Sequence, residues 1–171
     1  MPDTNYDLTI RTLRAADLER VRAITVEGFA PVSIEAAIER RWPGLLPSQW
    51  GERKWLMMQP EVAGHPEDCY VAEIDGDVVG YVTTIVWPEH KVGRIPDLAV
   101  DARFRGRGIA RRLLEHALGR FRAKGLTVAR IETLAHNEVG QHLYPSLGFQ
   151  EMARQIHYAM PLVPVDDKES Q

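Results

Sequence analysis

The sequence contains little cysteine, no long apolar run and no internal repeat. Cys69 is the single cysteine among 171 residues, so an intramolecular disulfide is impossible and a cysteine-rich zinc site is excluded. No stretch reaches the roughly 18 consecutive apolar residues of a membrane span. The first residues also lack the basic-then-apolar order of a secretory signal. We therefore expect a cytoplasmic protein with no membrane partner.

Metal-binding patterns are missing as well. The six histidines show neither a His-x-x-x-His spacing nor a His–Glu pair on one predicted helix, which are the patterns of common metal sites. We therefore expect no metal. Cys69 opens a predicted strand without a base at suggestive spacing, so we expect it to be buried and inert.

The composition is that of an ordinary globular chain, with 44% hydrophobic and 26% charged residues. A length of 171 residues corresponds to one domain at the usual ~100 to 200 residues per domain. We expect this domain to cover residues 1–160. Residues 161–171 contain two prolines and mostly polar side chains, which is typical of a flexible tail.

The charge is unevenly distributed along the chain. Between Arg103 and Arg130, nine basic residues face one acidic residue, Glu115. This segment carries a charge of +8, so the rest of the chain carries −11 out of the net −3. A basic segment of this size favours a phosphorylated small molecule, whereas a dedicated nucleic-acid binder is usually basic throughout. We therefore expect no nucleic-acid partner.

Hydrophobic periodicity predicts alternating strands and helices. Asp75-Gly76-Asp77 between two apolar runs predicts a hairpin, and Pro96 predicts an edge or a bulge in its strand. An apolar stripe from Ile109 to Phe121 predicts a helix that ends near Gly125. The expected strands are 6–13, 70–74, 78–86, 94–100, 126–134 and 149–160; the expected helices begin near 15, 33, 48, 109 and 138, and 60–68 is an expected loop. This order predicts an α/β domain with a mixed sheet.

The most informative segment joins a predicted strand to a predicted helix and reads Arg103-Phe104-Arg105-Gly106-Arg107-Gly108-Ile109-Ala110. Two glycines let backbone amides approach an anion, and the following helix N-terminus adds its dipole. Arg111 in the third glycine position excludes the Rossmann fingerprint, and no Gly-Lys-Ser/Thr follows to make a Walker A loop. A pyrophosphate group is the expected ligand, and a simple turn with solvated arginines is the alternative.

These residues resemble the acetyl-CoA loop of the GCN5-related N-acetyltransferases, Gln/Arg-x-x-Gly-x-Gly/Ala, through Arg103, Gly106 and Gly108. A second segment, residues 137–149, is similar to the family's Asn-x-x-Ala-x-x-Leu-Tyr-x-x-x-Gly-Phe pattern, with Gly140 in the alanine position. The hairpin around Asp75 is also typical of the family. The resemblance implies one domain with a mixed, mostly antiparallel sheet of six to seven strands, flanked by helices and splayed between its fourth and fifth strands.

The resemblance also implies an enzyme that uses acetyl-CoA and an amine acceptor. Tyr144 then stands where the family has its general acid, and Asn137, two helical turns earlier, faces the pantetheine arm. The alternatives are that Asn137 caps its helix and that Tyr144 belongs to the core. The backbone amides of Leu98, Ala99 and Val100 resemble the edge that binds pantetheine. The implied cofactor-binding residues are Leu98, Ala99, Val100, Arg103, Arg105, Gly106, Arg107, Gly108, Ile109, Ala110, Asn137 and Tyr144.

Two carboxylates are equal candidates for the general base. Asp97 precedes the strand edge at Leu98, where the family often carries a carboxylate; alternatively it braces the bulge at Pro96. Glu132 matches a base position of some protein N-terminal acetyltransferases; alternatively it belongs to a surface ion pair with Arg130. A water relay without a single base is the third option.

The acceptor side is expected in the helical region 14–60, and the cofactor core in 69–160. Glu27 and Phe29, at the end of the first predicted helix, are the candidate acceptor-binding residues. The sequence predicts transfer to a primary amine, either a small molecule or a peptide N-terminus, by direct attack in a ternary complex. The alternatives are a non-catalytic acyl-CoA sensor and a module that binds nucleic acid through the segment from Arg103 to Arg130. A homodimer is expected only because dimers are common in such families.

Overall fold

A computed structural model describes residues 7–165 of the chain. In this range there are seven strands, five α-helices and five single 3-10 turns. Their bounds are β1 Leu8–Thr12, α1 Leu18–Phe29, α2 Ile34–Arg41, α3 Trp50–Gly64, β2 Cys69–Ile74, β3 Asp77–Thr83, β4 Ile85–Trp87, β5 Val92–Ile95, β6 Leu98–Val100, α4 Ile109–Ala123, β7 Val128–Ile131 and α5 Glu138–Leu143.

Four strands form an antiparallel sheet in the order β1-β2-β3-β6. The β2–β3 hairpin turns at Asp75 and Gly76, whose φ angles are 52° and 86°. Positive φ at both central residues is the type I′ geometry that matches the twist of the flanking strands. The hairpin prediction is confirmed.

The remaining strands form a second sheet in the order β4-β5-β7, in which β5 and β7 are parallel. Strands β5 and β6 are one predicted strand interrupted at Pro96 and Asp97, since proline has no N–H to donate to a ladder. Pairing of β5 with β7 ends at Ile95 and Ile131, whereas β6 continues beside β3 alone among the described strands. In the predicted order of strands, β5 and β6 together are the fourth strand and β7 is the fifth. The sheet therefore splays between these two, as expected.

Helices cover both faces of the sheet in a single domain. On one face α4 buries Ile109, Leu113, Leu114, Ala117 and Phe121 against the even-numbered residues of β2. Gly93 allows this close packing, because a Cβ there would lie 2.6 Å from the Phe121 ring. On the other face α1 and α3 pack against the odd-numbered residues of β2 and against Tyr81. The residues of this second core are Leu13, Val21, Ile24, Trp55, Met58, Val62, Cys69, Val71, Val78, Tyr81 and Ala99.

Several predicted boundaries were wrong. The predicted loop at 60–68 is partly helix, because α3 continues through Pro60 to Gly64; Pro60 lies on the exposed side, where the carbonyl it leaves unpaired can meet water. The helix predicted to begin near 138 is short: it ends at Leu143, and a single 3-10 turn, Pro145–Leu147, follows.

The last predicted strand, 149–160, is absent: residues 150–160 are exposed, have no regular secondary structure and pair with no strand within residues 7–165. An alternating sequence alone does not make a strand, because its backbone groups need a neighbouring strand to pair with. Tyr6, in the first predicted strand, and residues 166–171 of the predicted tail lie outside the described residues.

Candidate active site

The segment between β6 and α4 has the geometry of an anion-binding loop. Gly106 and Gly108 have φ angles of 74° and 75°, and a Cβ at either position would meet no atom within 4 Å. Gly108 is the N-cap of α4 and offers no side chain to the first amides of the helix. These amides, those of Ile109 and Ala110 included, are therefore available to an anion, which the helix dipole also favours.

The arginines of this loop also hold it in place. Arg103 donates to both carboxylate oxygens of Asp101, and Arg105 donates through Nε to the Val100 carbonyl over 3.1 Å. The guanidinium of Arg103 holds the pKa of the buried Asp101 carboxyl far below its usual range. The backbone N–H of Arg103 and the side chain of Arg20 contribute smaller effects in the same direction. The guanidinium of Arg107 lies 5.1 Å from the centre of the Phe104 ring. The loop is thus fixed to the end of β6.

Strand β6 presents backbone amides to the splayed region. Thr83 donates to the Asp97 carbonyl and Asp101 donates to the Val79 carbonyl, both over 2.9 Å, so odd-numbered residues of this strand bond to β3. Since hydrogen bonding alternates in an antiparallel pair, the N–H groups of Leu98 and Val100 point the opposite way. Of the three predicted amides, Leu98 and Val100 face the opening and Ala99 faces β3.

Helix α5 positions the predicted amide and phenol. The Asn137 Oδ1 accepts from the Gly140 N–H at 3.3 Å, and its Nδ2 donates to Thr133 Oγ1 at 2.8 Å. Asn137 therefore caps its helix, which was the alternative reading of this residue. A Cβ at Gly140 would lie 3.0 Å from Thr133 Oγ1 and 3.2 Å from the Tyr144 ring. The glycine thus leaves room for both side chains.

Tyr144 lies half-buried against the core and meets Phe149 edge to face, with 6.2 Å between ring centres. Burial, together with the negative charge of Glu132, raises the pKa of the Tyr144 phenol to about 12. The phenol consequently carries its proton throughout the neutral range and can act there as a proton donor.

The two candidate bases follow the ends of neighbouring parallel strands, at the same edge of the sheet. Residues Ile95 and Ile131 are partners across the parallel strands, so Asp97 and Glu132 both follow the point at which β5 and β7 separate. Asp97 is buried and its Oδ1 pairs with the Lys54 ammonium from α3. Glu132 is exposed and accepts from Arg94 Nε at 2.7 Å. The predicted surface ion pair of Glu132 therefore exists, with Arg94 as partner rather than Arg130.

The end of α1 contributes one of the two predicted acceptor residues to this region. The Phe29 ring lies 4.6 Å from the Lys54 ammonium that pairs with Asp97. Glu27 is exposed, and its charge acts on Arg103 of the loop rather than on this ion pair. Lys54 thus connects Phe29 to Asp97, whereas Glu27 lies outside this group.

Sequence reasoning missed three charged residues here: Lys54, Glu61 and Arg94. Lys54 and Glu61 lie on α3, seven residues apart, which places them on one side of that helix. Burial, followed by the charge of Asp97, raises the pKa of the Glu61 carboxyl. The parallel register of β5 and β7 could have suggested the pairing of Arg94 with Glu132, but no local signal connects α3 to Asp97.

Outside this region, the single cysteine, Cys69, is buried. Burial raises the pKa of the Cys69 thiol to about 11, so the nucleophilic thiolate is scarce near neutral pH. Within residues 7–165, no three His, Cys, Asp or Glu side chains are grouped so as to hold a metal ion. None of the helices in the described range is long and apolar enough to cross a membrane.

Comparison with solved structures places this fold. The crystal structure of the PaiA N-acetyltransferase from Thermoplasma acidophilum, in complex with coenzyme A, superimposes with a TM-score of 0.71. The two chains are 20% identical, and the match covers 86% of this chain and 92% of that one. At this identity the likeness shows a shared fold.

Comparison with protein sequences identifies relatives and the family of the chain. An N-acetylaspartate synthetase from Rattus norvegicus is 39% identical over 102 residues, which cover 56% of this chain and 32% of that protein. The L-2,4-diaminobutyric acid acetyltransferase of Halalkalibacterium halodurans is 29% identical over 127 residues, which cover 69% of this chain and 63% of that protein. The chain therefore spans about a third of the first relative's length. Residues 33–149 match the acetyltransferase (GNAT) family as a whole, and the chain belongs to this family.

Proposed function

We propose that the chain is an acetyl-CoA-dependent N-acetyltransferase that acetylates a primary amine, on a small molecule or a peptide N-terminus, by direct attack in a ternary complex. The observation that carries this proposal is the splay between β6 and β7. Along this opening we assign an anion-binding loop, the outward amides of β6, the Tyr144 phenol at the end of α5 and the two carboxylates that follow β5 and β7. We further propose the division of the chain into an acceptor side, residues 14–60, and a cofactor core, residues 69–160, within a domain covering 1–160.

The described residues fit acetyl-CoA along this opening. The amides around Gly106 and Gly108 would hold the pyrophosphate, because the space beside both glycines is open and the N-terminus of α4 follows. The N–H groups of Leu98 and Val100 would bond to the pantetheine arm and polarise the thioester carbonyl. Asn137 caps α5, and its Nδ2 donates to Thr133. To contact the arm, this amide would use its second N–H or give up the bond to Thr133.

The reaction needs a neutral amine and a proton for the leaving sulfur. Bound acetyl-CoA supplies an activated acetyl group as a thioester. A carboxylate at the strand ends accepts a proton from the acceptor ammonium, and the amine nitrogen then forms its bond to the carbonyl carbon. The carbon–sulfur bond breaks as Tyr144 gives its phenolic proton to the thiolate. The nitrogen loses its second proton as the amide forms, and this proton restores the Tyr144 phenol, so that one proton in total stays on the carboxylate until solvent removes it. The products are an N-acetylated amine and free CoA.

Asp97 and Glu132 remain alternative bases in this scheme. The Lys54 ammonium occupies one oxygen of Asp97, and Arg94 occupies one oxygen of Glu132. Among the described residues, no hydrogen bond reaches the second oxygen of either carboxylate, so both can accept a proton. Asp97 has the more rigid position, because it is buried and both its backbone groups bond to Thr83. The Asp97 carbonyl accepts from the Thr83 N–H, and the Asp97 N–H donates to Thr83 Oγ1.

The two candidates separate in the pH dependence of kcat/KM. If Asp97 is the base, Asp97→Asn should lower kcat/KM about a hundredfold near neutral pH and remove the acidic limb of the profile, because general-base catalysis contributes ~10² to 10⁴ in rate. Glu132→Gln should then keep that limb. The reverse result would assign the base to Glu132, and an unchanged limb in both variants would favour a water relay.

The function itself is tested by following thiol release from acetyl-CoA across a panel of amines and peptide N-termini. The proposal expects release that depends on both substrates. Binding of acetyl-CoA without release from any acceptor would favour a non-catalytic acyl-CoA sensor. Affinity for DNA or RNA that falls steeply with salt, without CoA binding, would favour the basic segment as a nucleic-acid site.

Two relatives support an amino-acid amine as the acceptor class. Their names describe an N-acetylaspartate synthetase and an acetyltransferase for L-2,4-diaminobutyric acid. For this chain, a small amino-acid-like amine is therefore the first acceptor to test. We also propose a cytoplasmic location, which fractionation of cells would test.

We propose that the chain forms a homodimer through its C-terminal segment, residues 150–163. This segment carries apolar side chains that are largely exposed, and it pairs with no strand of its own chain in the described range. The exposed side chains are Met152, Ile156, Tyr158, Met160, Leu162 and Val163. Strand β7 has a single neighbour, β5, among the described strands, so its other edge is open to a strand from a second copy.

A further inference from the structure

Five charged side chains meet on the acceptor side of the splayed sheet. They form what we name the acceptor cluster, composed of Lys54, Glu61, Arg94, Asp97 and Glu132. The ion pairs of Lys54 with Asp97 and of Arg94 with Glu132 join α3 and the strand ends. Glu61 lies two helical turns after Lys54 on the same side of α3, and the charges of the other four members all act on its carboxyl.

The charges of the acceptor cluster do not balance. Lys54 and Arg94 are each matched by one carboxylate, which leaves Glu61 over. Within residues 7–165, neither a hydrogen bond nor an ion pair reaches the Glu61 side chain. The cluster therefore carries a net charge of −1, and it lacks one cation.

Glu61 is only partly exposed to water, so solvent compensates its charge incompletely. It is half-buried, and its neighbours Met58 and Val62 on α3 are buried in the core beneath it. Partial burial of a carboxylate without a cationic partner is unfavourable. A ligand that brings a positive charge to Glu61 would remove that cost.

We propose that Glu61 is the binding site for an ammonium group of the acceptor, and that the enzyme selects primary amines of net positive charge, such as diamines and diamino acids. This inference rests on the proposed N-acetyltransferase function. An ammonium group on Glu61 completes the charge balance of the cluster. Asp97, which pairs with Lys54 two helical turns from Glu61, directly precedes the amide edge of β6.

The excess negative charge of the acceptor cluster disfavours acidic acceptors. A substrate with more carboxylates than ammonium groups, such as aspartate, adds negative charge to a site that already has an excess of it. A diamino acid carries two ammonium groups and one carboxylate, and Lys54 or Arg94 can meet that carboxylate. The preference between these classes is therefore a measure of the unmatched charge on Glu61.

The inference is tested with Glu61→Gln and with Glu52→Gln as a matched control, since Glu52 is an exposed glutamate on the same helix. We expect the wild-type enzyme to show a kcat/KM for 1,4-diaminobutane at least about tenfold above that for aspartate, in line with a charge-assisted hydrogen bond. Glu61→Gln should remove this preference mainly by raising KM for the diamine, and Glu52→Gln should keep it.

Calorimetric titration of 1,4-diaminobutane into CoA-saturated protein gives a readout that does not depend on turnover. Weaker binding to Glu61→Gln than to both other proteins, with unchanged CoA affinity, supports the inference. Equal diamine binding by wild type and Glu61→Gln overturns it. Thiol release with aspartate that exceeds release with the diamine also overturns it while leaving the proposed function intact, whereas no release with any amine contradicts the function itself.

Discussion

At the residue scale, the state of the Tyr144 proton decides what this side chain can do. Its pKa of about 12 follows first from burial and then from the charge of Glu132. A raised pKa keeps the phenol protonated at neutral pH, and the proton is lost only as the pH rises towards 12. In the proposed reaction Tyr144 is thus a donor throughout the range in which enzymes are assayed.

Removing that hydroxyl should slow the chemical step. Tyr144→Phe should lower kcat about a hundredfold, the contribution expected of a general acid, and leave acetyl-CoA affinity nearly unchanged. Tyr158→Phe is the control: it also removes one tyrosine hydroxyl, but it keeps the apolar ring that the proposed dimer contact needs, so it should behave as wild type. The measurement is steady-state kinetics from pH 6 to 10, in which no loss of kcat should arise from Tyr144 ionisation. A Tyr144→Phe enzyme with wild-type kcat would remove this residue from the mechanism.

At the element scale, the turn that starts α4 is the feature on which cofactor binding depends. Gly106 needs positive φ and leaves open space beside it. A larger residue would bring a side chain into this space, where the pyrophosphate is proposed to bind. A Cβ here would meet no atom within 4 Å beyond its chain neighbours, so we expect the cost to folding to come mainly from the backbone conformation.

Gly106→Val should therefore separate binding from folding. We expect loss of measurable acetyl-CoA binding by calorimetry, with a fall of only several °C in Tm, since a left-handed non-glycine residue costs roughly 1–2 kcal/mol. Gly125→Val is the matched control: Gly125 has a φ of 72° and open surroundings, and it lies beyond the other end of α4. It should lose similar stability and keep acetyl-CoA binding. Retained affinity in Gly106→Val would contradict the pyrophosphate loop.

Elements with local signals could be predicted from the sequence. Asp75-Gly76 specifies its own turn, Ser33 caps α2 by accepting from Ala36, and the apolar stripe of α4 specifies its buried face. Features that depend on distant partners could not. The segment 149–160 alternates like a strand but has no neighbour to pair with in the described chain.

The candidate site divides in the same way. The glycine loop and the Asn137 to Tyr144 helix were found from motifs, because each is one continuous segment. The acceptor cluster was found only in part: Asp97 and Glu132 were named, whereas Lys54 and Glu61 come from α3 and reach Asp97 only through tertiary packing. Sequence spacing contains no information on that approach.

At the scale of the whole molecule, α4 and α3 pack on opposite faces of the sheet, and the residues assigned to the two substrates differ in charge. The loop and α4 carry the basic segment, which suits phosphate groups, whereas the acceptor cluster has one negative charge in excess. This division gives each substrate its own side. It also explains why a net charge of −3 by itself says little about the partners of the chain.

The exposed C-terminal segment should control the oligomeric state. Light scattering after size exclusion should give twice the 19.4 kDa mass of one chain for the wild type. Ile156→Glu combined with Tyr158→Glu should give the single-chain mass, because buried charges would oppose the contact. Met57→Glu, on α3, changes an exposed side chain elsewhere and should stay dimeric. A wild-type monomer at tens of micromolar would contradict the homodimer.

The most direct test of the central claim is calorimetric titration of the wild-type chain with acetyl-CoA, followed by an amine panel on the same sample with thiol release as the readout. We predict one acetyl-CoA site per chain and thiol release that requires an added amine. Absence of any acetyl-CoA binding to the folded protein would contradict the account, because the loop at Gly106, the edge of β6 and Tyr144 would then have no common ligand.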